Sequence, residues 1–282
     1  MALGLAIVLF YFFGTPLLVY FNYKIQARPN IEAFDPATGM SEPVREEFDR
    51  CFHEFTALQF RHLGTFTTAG VVKNSKTIFA LYESEDSRVT AGTNAMFVKV
   101  KNKWKLYGQL ISMCTQFSDG CEIDTSNMTR LYDFPVAQGF VRTQHPELQK
   151  ASDLLNAHES MVEHHRKGRS SVSKLNSKFG GDVKAYFAES LFEELSRAAE
   201  SGRLRLKEVA LSNEDRDSQS EGVNPFQSPT AENIDQGSVF VLTLVGAYTG
   251  IWSLLWPTGP IIARMRFARD RKLLAETGYC WP

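Results

Sequence analysis

Two long uncharged runs stand out from an otherwise mixed pattern of apolar and polar positions, Ala2 to Phe21 and Gly237 to Trp256. Each holds about 20 residues, the length a helix needs to cross a bilayer core. Hydrocarbon offers backbone amides and carbonyls no partner, so such a run is stable there only as a helix. The first run is broken only by Gly14 and Pro16. No Lys or Arg precedes it and no cleavage site soon follows, so it reads as an uncleaved anchor rather than a signal peptide. In the second run Gly246 and Gly250 lie four apart. That spacing presents a small face to a neighbouring helix, from a protein partner or from a second copy of the chain. Trp252 and Trp256 suit a membrane interface, and Pro257, Gly259 and Pro260 end the helix.

Between the runs the periodicity changes twice. Ser41 caps a helix with Pro43 in its first turn, and Val44, Phe48, Cys51, Phe52 and Phe55 form its apolar stripe, with His53 on the solvated side. From Arg61 to about Asn127 branched and aromatic residues punctuated by turns predict five strands: Leu63 to Val72, Thr77 to Glu83, Val89 to Val100, Trp104 to Phe117 and Cys121 to Thr125. Short connections make neighbours antiparallel. A Lys101-Asn102-Lys103 loop sets Val100 against Trp104, Val98 against Leu106 and Lys99 against Lys105, which segregates apolar from basic side chains. A Ser118-Asp119-Gly120 loop sets Phe117 against Cys121 and Thr115 against Ile123. Cys114 and Cys121 then point to opposite faces, which disfavours a disulfide.

Leu131 to Gln144 reads as extended or looped, and Pro146 opens a helix reaching about Arg166. A polar linker, Lys167 to Lys178, precedes a helix capped by Asp182 and ended by Gly202, with Val183, Tyr186, Phe187, Leu191, Phe192 and Leu195 as its stripe. Leu204, Leu206 and Val209 suit a last strand. The expected fold is α+β: an antiparallel meander of about five strands with helices over one face, flanked by N- and C-terminal transmembrane helices. Its organisation is a transmembrane helix over 1–22, a central domain over 30–211, an acidic disordered tether over 212–236, a transmembrane helix over 237–256 and a basic tail over 257–282.

Charge decides orientation and excludes one class of partner. The formal net charge of −1 on 282 residues gives no footprint for nucleic acid. Lys24 and Arg28 after the first run argue for a cytoplasmic domain. Arg264, Arg266, Arg269, Arg271 and Lys272 after the second argue for a cytoplasmic tail and hence an extracytoplasmic domain. The denser cluster favours two spans with both termini cytoplasmic. The same basic residues, with Ile261, Ile262, Met265 and Leu273, suit contact with the membrane surface.

Candidate chemistry is sparse. Around His158, Glu159, Glu163, His164 and His165, a helical zinc site needs a second His four residues after His158, where Val162 stands. Cys51, Cys114, Cys121 and Cys280 lack ligand spacing, and no nucleophile elbow, phosphate loop or dinucleotide motif occurs, so no metal or cofactor is expected. Glu122 and Asp124 share what reads as the solvent face of a strand, and Asn127-Met128-Thr129 fits a glycosylation sequon. The lysines at 99, 101, 103 and 105 suit anionic lipid, a partner, or a solvated, aggregation-resistant edge. The expectation is a membrane-tethered binding or interaction domain. The alternative is a membrane-associated enzyme built on scattered residues, with His145, His158 and His165 as its candidates.

Overall fold

The computed structural model describes residues 20–21, 24–69, 74–101, 103–129, 139–208, 238–247 and 258–281. Two short strands, β1 (Lys24–Gln26) and β2 (Ile31–Ala33), a single turn α1 (Pro36–Gly39) and the helix α2 (Glu42–Ala57) lead into the meander. Its strands are β3 (Phe60–Ala69), β4 (Ser75–Ser84), β5 (Thr90–Val100), β6 (Lys103–Phe117) and β7 (Glu122–Ser126). They pair antiparallel in sequence order, as the pattern predicts. β2 extends the sheet beside β3, and β8 (Phe140–Gln144) lies parallel to β7 at the other edge. The protein is thus α+β with a mostly antiparallel sheet.

The two predicted hairpin registers fare differently. Between β6 and β7, Gly120 is left-handed (φ 82°) and the Phe117 amide donates to the Cys121 carbonyl. Thr115 faces Ile123 as expected, and the thiols of Cys114 and Cys121 are free. Between β5 and β6 the expectation fails. Val100 pairs with Lys103, so only Lys101 and Asn102 connect the strands, with Lys101 left-handed (φ 48°). This shifts the register: Lys99 faces Trp104 and Val98 faces Lys105. Tyr107 is taken up in a bulge that restores the pairing further in, where Met96 meets Gly108.

Helices cover both faces of the large sheet, not one. β4 shows why in five residues: Ile78, Ala80 and Tyr82 face α2, while Phe79 and Leu81 face the opposite side, and all five are buried. A strand half exposed to water alternates, but one covered on both sides has no polar positions to spare. On the first face α2 brings Val44, Phe48, Cys51 and Phe55, and α3 (Ala151–Arg166) brings Ala151, Leu154, Ala157 and Met161. Phe52 leaves the expected stripe and is exposed. α3 begins later than predicted because His145 to Leu148 forms a separate turn, and the Glu54 carboxylate from α2 accepts the Ala151 amide at its first turn.

The expected polar linker holds two further elements. β9 (Ser171–Val172) pairs with the end of β6, and α4 (Lys174–Phe179) is capped by Ser173 Oγ, which accepts from the Asn176 amide. α5 (Val183–Glu200) starts at Asp182, whose carboxylate accepts from the amides of Lys184 and Ala185. α5 packs on both sides. Phe187 stacks on Phe79 of the large sheet at 3.9 Å between ring centres. Leu195 and Ala198 pack instead with Ile25, Leu204 and Phe240 of a second, three-stranded sheet.

That second sheet corrects the reading of the second apolar run. β10 (Leu204–Glu208) and β11 (Ser238–Leu242) pair antiparallel, and β11 pairs on its other side with β1. Gly237 to Trp256 is therefore not one helix, because its residues 238–242 form a central strand. Val239, Phe240 and Val241 are strand formers, and Phe240 fills the cleft beside α5. An uncharged run of that kind serves a buried strand as well as a membrane helix, and hydropathy alone does not separate the two. Among the described residues no helix is long and apolar enough to cross a membrane. Residues 2–19 of the first run, residues 237 and 248–256 of the second, and the tether over 212–236 lie outside the described residues.

Candidate functional site

The histidines named from sequence are not gathered into a catalytic arrangement. His158 lies on the inward side of α3 and is fully buried. Its Nε2 is 2.9 Å from Thr115 Oγ1 on β6, and its Nδ1 is 3.1 Å from Thr125 Oγ1 on β7. With both ring nitrogens occupied and no carboxylate bonded to it, burial drives its pKa down to about 3, so it is neutral at physiological pH. His145 is also fully buried, at the end of β8, and its ring meets Trp281 at 6.1 Å between centres. Both of its ring nitrogens lack a hydrogen-bond partner, and burial lowers its pKa. His165 sits in the last turn of α3 against His164, with its pKa lowered by burial and then by the cationic groups around it. Among the described residues no three His, Cys, Asp or Glu side chains are placed to hold a metal.

Of the polar side chains that do converge, the sequence points to Glu122 and Asp124 alone, and as solvated carboxylates. The whole set lies between the second face of the large sheet and α4 and α5. Glu83 of β4, almost fully buried, accepts from Arg61 at 2.7 Å, Ser173 at 3.0 Å and Asn176 at 2.9 Å. Lys174 of α4 donates to Glu122 at 3.0 Å and to Glu193 at 2.7 Å, and Gln116 also donates to Glu122. Arg142 of β8 bridges Asp124 at 2.8 Å and Glu194 at 2.9 Å, while Arg197 stacks over Phe140 at 3.7 Å. Glu122 and Asp124 are thus ion-paired beneath helices rather than on a solvent face.

Charge in this layer is balanced. Glu83, Glu122, Asp124, Glu193 and Glu194 face Arg61, Arg142, Lys174, Lys178 and Arg197. Burial opposes the Lys174 ammonium, but Glu122 and Glu193 outweigh it and hold its pKa above that of free lysine. Burial likewise works against the Glu193 carboxylate, and Lys174 and Lys178 hold its pKa down. The Cys114 thiol beneath the layer is pushed well up, first by burial and then by Glu122 and Asp124, so it is not a thiolate nucleophile. Carboxylates already matched to cations in this way tie α4 and α5 to the sheet. The sequence does carry one signal of this layer: the unbroken apolar run Ile78 to Tyr82 requires a covered second face, and carboxylates on a covered face require partners.

A different set of residues meets at the second sheet. Lys24 pairs with Val241 and Gln26 with Val239, so the chain leaving the first apolar run lies beside the strand that begins the second. Tyr20 and Ala247 both pack into the cluster around Phe240. A Cβ on Gly246 would overlap the Arg203 carbonyl oxygen, so this glycine allows a close approach inside the domain. Gly250, its expected partner in helix packing, lies outside the described residues.

The basic tail returns to the large sheet. α6 (Thr258–Glu276) carries Asp270, whose buried carboxylate accepts the Gln144 amide at 3.0 Å, and Leu274, which enters the core beside α3. Arg271 pairs with Glu147 at 2.9 Å and Arg269 with Asp270 at 3.1 Å. Arg264 and Lys272 are exposed and Arg266 is half-buried. Ile261 and Met265, from the apolar set expected to face a membrane, are exposed at 55% and 69%. Asn127 is buried, with its side-chain oxygen accepting the Ile111 amide at 2.7 Å, so the sequon is not displayed in the fold. Comparison with known protein families, with curated proteins and with solved structures finds no match to this chain.

Proposed function

We propose that this chain is a membrane-anchored interaction domain, held by Ala2 to Phe21 as its crossing helix, with the apolar segment 243–257 seated at the bilayer surface. The observation that carries the reading is the antiparallel pairing of Lys24–Gln26 with Val239–Val241. It brings the domain-side ends of both apolar segments to one small sheet, so both meet a bilayer from the same place. Phe21, Leu244 and Val245 are exposed there.

This reading departs from the two-span expectation because of α6. One crossing between residues 247 and 258 would leave α6 across the bilayer from the sheet edge on which it packs. Two crossings need about 20 helical residues each, and residues 248–257 are too few. With α6 on the domain's side, Lys24, Arg28 and the arginines of α6 all lie on one side of the membrane. The two basic clusters that conflict in the sequence then agree, and they favour a cytoplasmic domain. The enzyme alternative draws no support from His145 or His158, since a fully buried imidazole cannot meet a substrate.

Single-cysteine variants test the arrangement. Cys280, exposed in the tail, and a reporter Glu85→Cys, at an exposed turn, are compared in intact and permeabilised cells with a membrane-impermeant thiol reagent. The expected result is no labelling of either until the membrane is opened, with the chain retained in membranes at alkaline pH. Labelling of only one in intact cells would put α6 and the sheet on opposite sides and reject the reading. Release of the chain at alkaline pH would reject the anchor.

A further inference from the structure

We infer that the tip of the β5–β6 hairpin is a second membrane contact, in which Trp104 and Leu106 enter the interface of an anionic bilayer while Lys99, Lys101, Lys103 and Lys105 meet its acidic headgroups. The inference rests on the membrane-anchored reading for its setting and on three observations of its own.

The first is exposure. Val100, Trp104, Leu106 and Tyr107 are 41%, 48%, 45% and 39% exposed at one hairpin end, and all four lysines are exposed beside them. Lysines protecting a free strand edge from aggregation explain the charge, but not an indole and a leucine left in water among them. The second is sign. No acidic residue occurs between Asp86 and Asp119, so the hairpin's own charge is wholly cationic despite the neutral balance of the chain.

The third is the register, which decides the kind of partner. Alternation from Phe97, which packs against the α2-side core, puts Lys99, Trp104 and Leu106 on that side of the hairpin. Val98, Val100, Lys103 and Lys105 fall on the other. Apolar and cationic side chains therefore occur on both sides of the tip. A groove on a protein would read one side. A bilayer interface surrounds an inserted tip, takes apolar groups from both sides, accommodates an indole at headgroup depth and lets lysines reach outward to phosphates. Ile31 pairs with Thr68 and Phe97 with Lys76, so the chain coming from β1 enters the large sheet at the same end as this tip.

The test uses the full chain in lipid nanodiscs, with Trp252→Phe, Trp256→Phe and Trp281→Phe leaving Trp104 as the only indole. Circular dichroism checks the fold, and the difference between wild type and Trp104→Phe supplies the same signal should the triple variant misfold. In phosphatidylserine-containing discs, Trp104 emission is expected to shift to the blue and be quenched by lipids brominated near the headgroup. Replacing all four lysines by Gln is expected to weaken binding of the tip to anionic lipid by on the order of a thousandfold and to remove most of the quenching. Water-like emission, unquenched in any disc, overturns the inference. Protection of Trp104 only on adding single-stranded RNA overturns it in favour of a nucleic-acid contact. A chain that fails to co-elute with lipid defeats the anchored reading alone, and the same quenching on preformed vesicles then decides the tip independently.

Discussion

The two faces of the large sheet solve the same problem with different chemistry. Neighbouring positions on β6 and β7 show the contrast: Met113, Thr115, Ile123 and Thr125 face α3, while Cys114, Gln116, Glu122 and Asp124 face α5. Side chains alternate along a strand, so a step of one residue exchanges an apolar interior for an ionic one. The α2/α3 face is held by burial of large apolar groups, with one neutral histidine fitted between two threonines. The α4/α5 face is held at one end by Phe66, Phe79 and Phe187 and at the other by paired charges. Burial of apolar area stabilises the first face without any charge that needs a partner. The second depends on every charge keeping its partner, because a lone buried ion costs far more than its pair contributes.

The largest expected effect breaks the ionic face. Lys174→Met leaves Glu122 and Glu193 without their shared cation under α5, and is expected to destabilise the domain by about 3–5 kcal/mol in urea unfolding. Adding Glu122→Met should recover part of that loss, since the double variant removes an uncompensated charge along with the bond. A double variant no more stable than the single one would mean that Glu122 is not the residue stranded by the loss of Lys174.

On the apolar face the matched experiment is Leu154→Ala. Leu154 is fully buried against the sheet, and its truncation is expected to cost about 2–4 kcal/mol. The two effects separate with salt. The cost of Leu154→Ala should be the same at low and high ionic strength, while that of Lys174→Met should change, because partly buried pairs still feel screening. Equal salt dependence for both would erase the distinction between the faces.

The contrast also accounts for what could be read along the chain. Strand positions in the meander were legible because punctuation and β-branched runs are local signals, and the β6–β7 register followed from one glycine. The β5–β6 register was not legible, because a two-residue and a three-residue connection fit the same letters and the bulge at Tyr107 leaves no mark in the pattern. The charged layer was hidden for a different reason. Glu122 and Asp124 look solvated until a helix more than 50 residues later covers them, and Lys174 sits in a stretch whose composition reads as linker. The strand at Ser238–Leu242 was masked by its neighbours, since an uncharged run reads as a membrane helix once its length is counted across the strand boundary. Of the candidate histidines, the helical position of His158 was readable, but its threonine partners come from two strands and required the fold.

The most specific effect, and the smallest over the pH range measured, concerns that histidine and the pH at which the apolar face weakens. Burial lowers the His158 pKa from 6.5 to about 3 in the folded chain, while the unfolded chain titrates near the ordinary value. Between those two values the unfolded state binds the extra proton, so falling pH favours unfolding. The stability that depends on a neutral His158 is complete above pH 6.5 and declines as the pH drops towards 3, by about 1.4 kcal/mol per pH unit. His158→Gln keeps a neutral hydrogen-bonding side chain between Thr115 and Thr125 without a titrating group. It is expected to be less stable than wild type at pH 7.5, because an amide does not reproduce the ring's two bonds. Its stability should nevertheless fall less steeply between pH 6.5 and 5, and chemical unfolding at half-unit intervals measures the slope. Parallel slopes for the two proteins would show that His158 takes up its proton alike in the folded and unfolded chain, and the buried neutral imidazole bridging β6 and β7 would have to be abandoned.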